Sequence, residues 1–332
     1  MTKKGRILSG MRPTGNLHLG HVVGALRNWE QLQEEFDCFY FVADHHALMS
    51  EAERPEVIRE ATLNNVADWI ACGVDPDVST IFVQSHLPEH AELHVILSCI
   101  VPLGWLERCP TYKEQLVELE KGGKDVRNYA FLGYPVLQCA DIIIYKANYV
   151  PVGEDQLPHL ELTREIVRRF NRYFGEIFPE PKARLTETPR LLGLDRRKMS
   201  KSYGNCIYLA DTEEQVLKKV STMYTDPKRV RKSDPGHPEE CNVCDYIKTF
   251  APDQAEEVAD KCRNAGWGCT DCKKNLAAVL NGFLGPIRKR RNELLGDRAE
   301  LERIILDGTE RARRVVRETM SEVKRAIGYW GA

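Results

Sequence analysis

Three short runs rich in β-branched and aromatic residues, Arg6 to Ser9, Cys38 to Ala43 and Ser79 to Gln84, punctuate the first third of the chain. Between them lie helical patterns, His18 to Phe36 and Pro55 to Cys72, the second opened by a proline suited to a first helical turn. Strands alternating with helices long enough to cross back over a sheet predict an α/β fold with a Rossmann-like parallel sheet. A further apolar segment, Asp141 to Ala147, leads through Tyr149 to Val152 into Gly153, and Leu157 to Phe174 reads as an amphipathic helix. After about Thr188 the pattern changes to loops and helices, with Pro227, Pro235 and Pro238 marking an edge. The expected organisation is a Rossmann-fold domain over residues 1–188, with an inserted helical segment, and a smaller, mostly helical domain over 189–332. The last helix is a candidate to pack back on the first domain. A length of 332 residues exceeds one comfortable core and agrees with this division.

Two strings carry chemistry. Met11 to His21, MRPTGNLHLGH, follows the first strand and opens the first helix, so backbone N–H groups and a helix dipole face a site where phosphate can lie. Gly15 and Gly20 let a ligand approach the main chain, and His18 and His21, three apart, share a face from which they can donate hydrogen bonds to a phosphate. Lys198 to Ser202, KMSKS, places two lysines on a loop where they can clamp a leaving pyrophosphate in the transition state.

Charge and cysteine content narrow the setting. Forty-seven Lys and Arg against 49 Asp and Glu leave a net charge of −2, which excludes a uniformly basic protein that coats nucleic acid. A nucleic-acid partner must use local patches, such as the basic stretches within Asn275 to Leu295 and Gly308 to Ile327, with Trp267 as a possible stacking surface. No apolar run reaches the roughly 20 residues of a membrane span, and a cytoplasmic location is expected. The 11 cysteines cannot all pair as disulfides. Cys38, Cys72, Cys99, Cys109, Cys139 and Cys206 are scattered, whereas Cys241, Cys244, Cys262, Cys269 and Cys272 are clustered. The C-x-x-C pair Cys269 and Cys272 can grip a metal centre from one turn, and Cys262 with either Cys241 or Cys244 can complete four ligands.

Together, His18-Leu19-Gly20-His21 and Lys198-Met199-Ser200-Lys201-Ser202 resemble the HIGH and KMSKS motifs of class I aminoacyl-tRNA synthetases. Within that class the chain resembles the tryptophanyl enzymes over nearly its whole length, on GMRPTGNLHLGH, Tyr134 to Asp141 (YPVLQCAD) and Val150 to Gln156 (VPVGEDQ) followed by His159 and Glu161 to Arg164. The resemblance implies activation of L-tryptophan by ATP and transfer to tRNA(Trp), with Mg2+ accompanying ATP and a homodimeric assembly. It implies catalytic roles for His18, His21, Lys198 and Lys201. ATP would contact Arg12, Pro13, Thr14, Gly20, His21, Gly153, Glu154, Asp155, Leu191, Lys198, Met199, Ser200, Lys201 and Ser202.

Tryptophan would be held by Leu8, His46, Tyr134, Gln138, Asp141, Val150, Val152 and Gln156, with Asp141 accepting the indole N–H. Tyrosine enzymes share a Tyr, Gln and Asp spaced as Tyr134, Gln138 and Asp141, so tyrosine–tRNA ligase is the rival reading. A non-ligase paralogue that senses tryptophan, ATP or redox state is a third. The spacing C-x20-C-x6-C-x2-C resembles tryptophanyl enzymes that carry a [4Fe–4S] cluster, which implies Cys241, Cys262, Cys269 and Cys272 as ligands. Zinc is the alternative occupant.

Overall fold

The computed structural model describes residues 3–109, 112–113, 128–185 and 191–331; the side chains of Asp155 and Ser202 lie outside the described set, as does the expected domain boundary at 188. The strands β1 (Arg6–Met11), β2 (Asp37–Val42), β3 (Thr80–Val83), β4 (Tyr149–Val152) and β5 (Lys182–Leu185) pair in parallel in the order β3-β2-β1-β4-β5. Burial on both faces turns β2 and β3 into nearly continuous apolar runs, the composition that made them legible. Strand order reverses between β1 and β4, so the crevice beyond Met11 and Val152 is where a sheet of this kind receives ligands.

The helices are α1 (Leu19–His21), α2 (Arg27–Glu35), α3 (Asp44–Glu51), α4 (Pro55–Ala71), α5 (Glu89–Ser98), α6 (Leu103–Glu107), α7 (Tyr129–Ile144), α8 (Leu157–Phe174), α9 (Glu213–Ser221), α10 (Asn242–Phe250), α11 (Ala255–Arg263), α12 (Cys269–Gly296) and α13 (Arg298–Ala326). None is long and apolar enough to cross a membrane. The helical pattern over His18 to Phe36 is divided: His18 is extended, and a π turn at Val22–Leu26 separates α1 from α2. Gly24 sits inside that turn, where poor helix propensity weakens the α register. The apolar segment Asp141 to Ala147 supplies the end of α7 and the turn into β4.

The chain forms two compact units. Residues 1–15, 28–187 and 297–332 make the first; 16–27 and 188–296 make the second. In the first unit, Leu8, Phe39, Phe41, Phe82, Val150 and Val152 from the sheet join Ile142, Ile143 and Val316 in one apolar core. The last helix belongs here because α13 lies directly against β3. A Cβ at Gly308 would fall 1.8 Å from the Ile81 carbonyl oxygen, so only glycine permits this contact. Gly308→Ala is therefore expected to cost at least about 2 kcal/mol, as overpacking does. Gly282→Ala, where a Cβ meets nothing within 4 Å, should instead gain about 0.5–1 kcal/mol from helix propensity. Thermal melts of the two variants against wild type test this pair, and equal effects would refute the close-packing account.

In the second unit, residues 16–27 lie along the 205–209 segment. Leu19 N–H donates to Ile207 O at 3.0 Å, and Leu209 N–H to Leu17 O at 3.0 Å. Arg27 stacks on Phe250 and Phe283, 5.2 and 5.4 Å from their centroids. Both α9 and α10 pack on α12. Part of the basic stretch in α12 is structural: Arg291 is buried and Arg288 donates to Asp211 O at 2.8 Å, while Lys289 and Arg290 face outward. Trp267 is half-buried with the Lys261 ammonium 4.1 Å above its ring.

Candidate active site

The second unit holds both signature strings. His18 caps the short α1, its N–H donating to His21 Nδ1 at 3.1 Å, and the two rings lie 3.9 Å apart. Burial, reinforced by the Lys201 ammonium, lowers the His18 pKa to about 4. Burial, then the His18 and Lys201 charges, hold His21 well below its ordinary value. Both imidazoles are therefore neutral at physiological pH and available as N–H donors beside a lysine charge. Gly20 is the point of contact with the lysine loop: a Cβ there would come within 3.0 Å of the His18 ring and 3.2 Å of Met199 Sδ.

The loop bearing Lys198 to Ser202 is ordered by one residue absent from any motif. Asn205 Oδ1 accepts from Ser200 N–H at 2.9 Å, while its Nδ2 donates to Asp195 Oδ1 at 2.8 Å and Lys198 O at 3.1 Å. Lys201 is half-buried and faces the histidines; Lys198 is exposed. The base of the loop is tied to α10. Arg196 donates to the Glu239 and Glu240 carbonyls, Asn242 Nδ2 to Gly193 O at 2.8 Å, and Tyr246 Oη to Leu192 O at 2.6 Å.

The first unit holds the Asp141 hydrogen-bond network. Tyr134, Gln138 and Asp141 occupy successive turns of α7. Asp141 accepts from His46 Nε2 at 2.8 Å, His90 Nδ1 at 2.6 Å and Gln84 Nε2 at 2.8 and 2.9 Å. Burial would raise its pKa, but the hydrogen bonds and charges of His46 and His90 prevail and hold the carboxyl well below the usual range. An anionic carboxylate thus sits beside aromatic rings, with Tyr134 packed edge-on against His46 at 4.7 Å. Burial raises the Tyr134 hydroxyl pKa, and the charge of exposed Arg12 partly opposes it.

Residues 1–285 match the model of the family described as tRNA synthetases class I (W and Y). The chain belongs to this family. It is 51% identical to a tryptophan–tRNA ligase of Thermotoga maritima over 97% of this chain and 98% of that protein. A crystal structure of tryptophanyl-tRNA synthetase from Campylobacter jejuni, complexed with ADP and tryptophan, superposes with a TM-score of 0.90 at 34% identity, covering 97% of this chain and 99% of the other. A tyrosyl-tRNA synthetase from Archaeoglobus fulgidus reaches a TM-score of 0.67 at 26% identity, covering 87% of this chain and 90% of the other. The α/β class expected from strand and helix alternation is that of the family, with its parallel sheet and helical C-terminal region.

Of the expected site residues, His18, Gly20, His21, Met199, Ser200 and Lys201 come together in the second unit, with Lys198 at its exposed margin and Leu191 buried in the same unit. In the first unit, His46 and Asp141 are in contact, Leu8, Val150 and Val152 lie in the apolar core, and Pro13 is buried beside half-buried Thr14. Gly153 precedes the short turn Glu154–Gln156, where Glu154 is exposed and Gln156 half-buried. Gln138 is half-buried and its Oε1 has no hydrogen-bond partner among the described residues. Sequence reasoning missed Gln84, His90, Tyr145 and Asn205. A signal existed for Gln84, since it closes β3 at the carboxyl end of a parallel strand, where ligand-binding residues gather.

None of the 11 cysteines forms a disulfide. Cys241 precedes α10, Cys262 lies in α11, and Cys269 and Cys272 open α12. Among the described residues, no three His, Cys, Asp or Glu side chains converge tightly enough to hold a single metal ion. Neither the expected [4Fe–4S] cluster nor the zinc alternative is therefore shown.

Proposed function

We propose that the chain activates L-tryptophan with ATP and transfers it to tRNA(Trp). The observation that carries this reading is the joined pair of signature strings, with Met199 against Gly20 and the Lys201 charge beside His18 and His21. The names of the relative at 51% identity and of the complex with ADP and tryptophan favour tryptophan over tyrosine. One oxygen of the tryptophan carboxylate attacks the α-phosphorus of ATP. The bond from that phosphorus to the bridging oxygen breaks, and pyrophosphate leaves with the electron pair. Neutral His18 and His21 donate to the phosphate oxygens, and Lys198 and Lys201 stabilise charge on the leaving group. Arg12, Pro13, Thr14, Gly153 and Glu154 contribute to holding the nucleotide, and Mg2+ would arrive on its phosphates. The terminal adenosine of the tRNA then attacks the mixed anhydride, forming the ester and releasing AMP.

Residues 1–188 are assigned the catalytic domain and 189–332 the KMSKS loop and the helical anticodon-binding domain, with 297–332 returning to the first. A homodimer is inferred with them; exposed Val95, Leu103 and Tyr129 on α5, α6 and α7 suit a covered face. The decisive assay is ATP–pyrophosphate exchange with tryptophan and with tyrosine. Tryptophan alone is expected to support it; exchange with neither amino acid sinks the ligase reading, and exchange with tyrosine alone transfers the pocket to the rival.

The cysteine group is assigned a [4Fe–4S] cluster bound by Cys241, Cys262, Cys269 and Cys272. Burial and then the neighbouring sulfurs raise the thiol pKa of Cys262 and push that of Cys272 up to about 12, so these sulfurs act on one another. Arg229 supports the same occupant. It is buried, its charge acts on Cys262 and Cys272, and its Nε and Nη1 have no partners among the described residues, as donors to an anionic group would need. When bound, the cluster supplies a cross-link among α10, α11 and α12. Protein purified without oxygen should carry about four irons and four sulfides per chain; stoichiometric zinc or no metal overturns the assignment.

A further inference from the structure

Lys201 owes its place to the backbone on either side of it. After it, the short turn Lys201–Tyr203 is closed by Tyr203 N–H donating to Ser200 O at 3.2 Å and Gly204 N–H to Lys201 O at 3.1 Å, with Gly204 in the left-handed region at φ 63°. Before it, an isolated bridge pairs Lys198 with Leu192, but Met199 and Ser200 belong to no helix or strand. One side chain fills that gap. Asn205, 3% exposed, accepts at Oδ1 from Ser200 N–H at 2.9 Å and donates from Nδ2 to Lys198 O at 3.1 Å, so it bridges the backbone on both sides of Met199.

The amide can face only one way. Ser200 N–H requires an oxygen, whereas Lys198 O and Asp195 Oδ1, the latter at 2.8 Å, require an N–H group; turning the amide over would set like against like at all three contacts. Asp195 is an anion: burial would raise its pKa, but the hydrogen bonds of Asn205 and Arg197 prevail and lower it. Gly193 leaves room for the arrangement. A Cβ there would fall 2.2 Å from Asn205 Nδ2, in the space the amide occupies. Residues 195, 198 and 200 are thereby tied to a single buried group, and the charge that this loop delivers, on Lys201, acts on both His18 and His21.

We propose that Asn205 is a positioning residue that acts through Lys201: by fixing the backbone at 198–200 it aims the Lys201 ammonium at the anion site faced by His18 and His21. Asp195 serves by fixing the amide, and Gly193 by leaving it space. The assignment rests on the adenylate-forming reading of the site and deepens it, since the lysine that stabilises the leaving pyrophosphate is aimed by a neutral amide four residues further on. An ammonium on a looser backbone would still reach the nucleotide. It would lose the contact made only as pyrophosphate departs, so the rate and not ground-state binding should suffer.

The test is single-turnover adenylate formation by the full chain, with equilibrium tryptophan binding measured alongside. Asn205→Asp keeps the size of the side chain but sets oxygen against the Asp195 and Lys198 oxygens; it should lower the rate about 10–100-fold, as loss of hydrogen bonds to a charged partner does, and change tryptophan binding less than about twofold, since only an interaction made in the transition state is lost. Adding Asp195→Asn returns one donor–acceptor link between the two side chains and should recover at least about threefold of the rate. Gly193→Ala, which removes no hydrogen-bonding group and only displaces the amide, should slow the reaction in the same way. The double-mutant cycle with Lys201→Ala decides: in that background Asn205→Asp and Gly193→Ala should each cost less than about threefold, because the group they misdirect is gone. Equal losses with and without Lys201, a near-wild-type rate in Asn205→Asp, or a loss confined to tryptophan binding overturns the proposal; if Asn205→Asp does not fold, the Gly193→Ala cycle decides alone. Should wild type support no pyrophosphate exchange with tryptophan, the ligase reading falls and this inference with it; exchange in wild type alongside equal losses in both backgrounds removes this inference alone.

Discussion

Replacing Lys201 by alanine lowers the rate of tryptophan activation by about 10²–10³-fold, the usual loss when a preorganised donor to developing charge is removed, and leaves tryptophan binding nearly intact. The reason lies in its placement. Lys201 is half-buried, and its charge depresses both His18 and His21, so its ammonium shares the anion site that those imidazoles face. Charge accumulates there only as pyrophosphate departs. Lys198, exposed at the margin of the same loop, should cost less than about tenfold when replaced by alanine, as screened surface charges do. Single-turnover adenylate formation, with equilibrium tryptophan binding measured alongside, separates the two. Equal losses in both variants would remove Lys201 from its special position.

Asp141→Ala is the substitution with the largest expected effect on stability, about 3–5 kcal/mol, because it strands the buried donors of Gln84, His90 and His46 together. Asp141→Asn should fall between this and wild type, since one acceptor oxygen remains while the new amide N–H groups oppose existing donors. Urea unfolding of the three proteins tests the order; an alanine variant as stable as wild type would show that the three donors find other partners. The pH dependence follows from the same contacts. A carboxyl held well below its ordinary pKa stabilises the fold fully above the unfolded-state value and loses that contribution only as pH falls through the lowered folded value. Asp141 therefore continues to support the first unit under acidity that already protonates exposed carboxylates.

What could be read in the sequence was what is local. The HLGH and KMSKS strings each occupy a few consecutive residues, and β2 and β3 announce themselves because burial on both faces demands uninterrupted apolar runs. Asp141 was found through a string on its own helix. Of its partners, Gln84 and His90 were not, because they lie 57 and 51 residues away, on the end of one strand and the start of another helix, where nothing nearby signals a shared carboxylate. Asn205 escaped for a related reason: an asparagine after a glycine reads as a turn, and only the folded loop reveals that it bonds to Ser200, Asp195 and Lys198. Arg288 misled in the opposite sense. In a run of four basic residues it reads as surface charge, yet it is tied to Asp211.

The hydrogen bonds from Arg196, Asn242 and Tyr246 join the base of the lysine loop to the stretch that starts at Glu239 and includes Cys241. Two segments linked in this way share one thermodynamic fate, and the coupling is reciprocal. Whatever factor a ligand on the lysine loop gains from an ordered cysteine segment, the cysteine segment gains from that ligand. Amide hydrogen exchange around residues 239–246 should therefore slow when nucleotide binds at the loop, although no atom of the nucleotide need touch them.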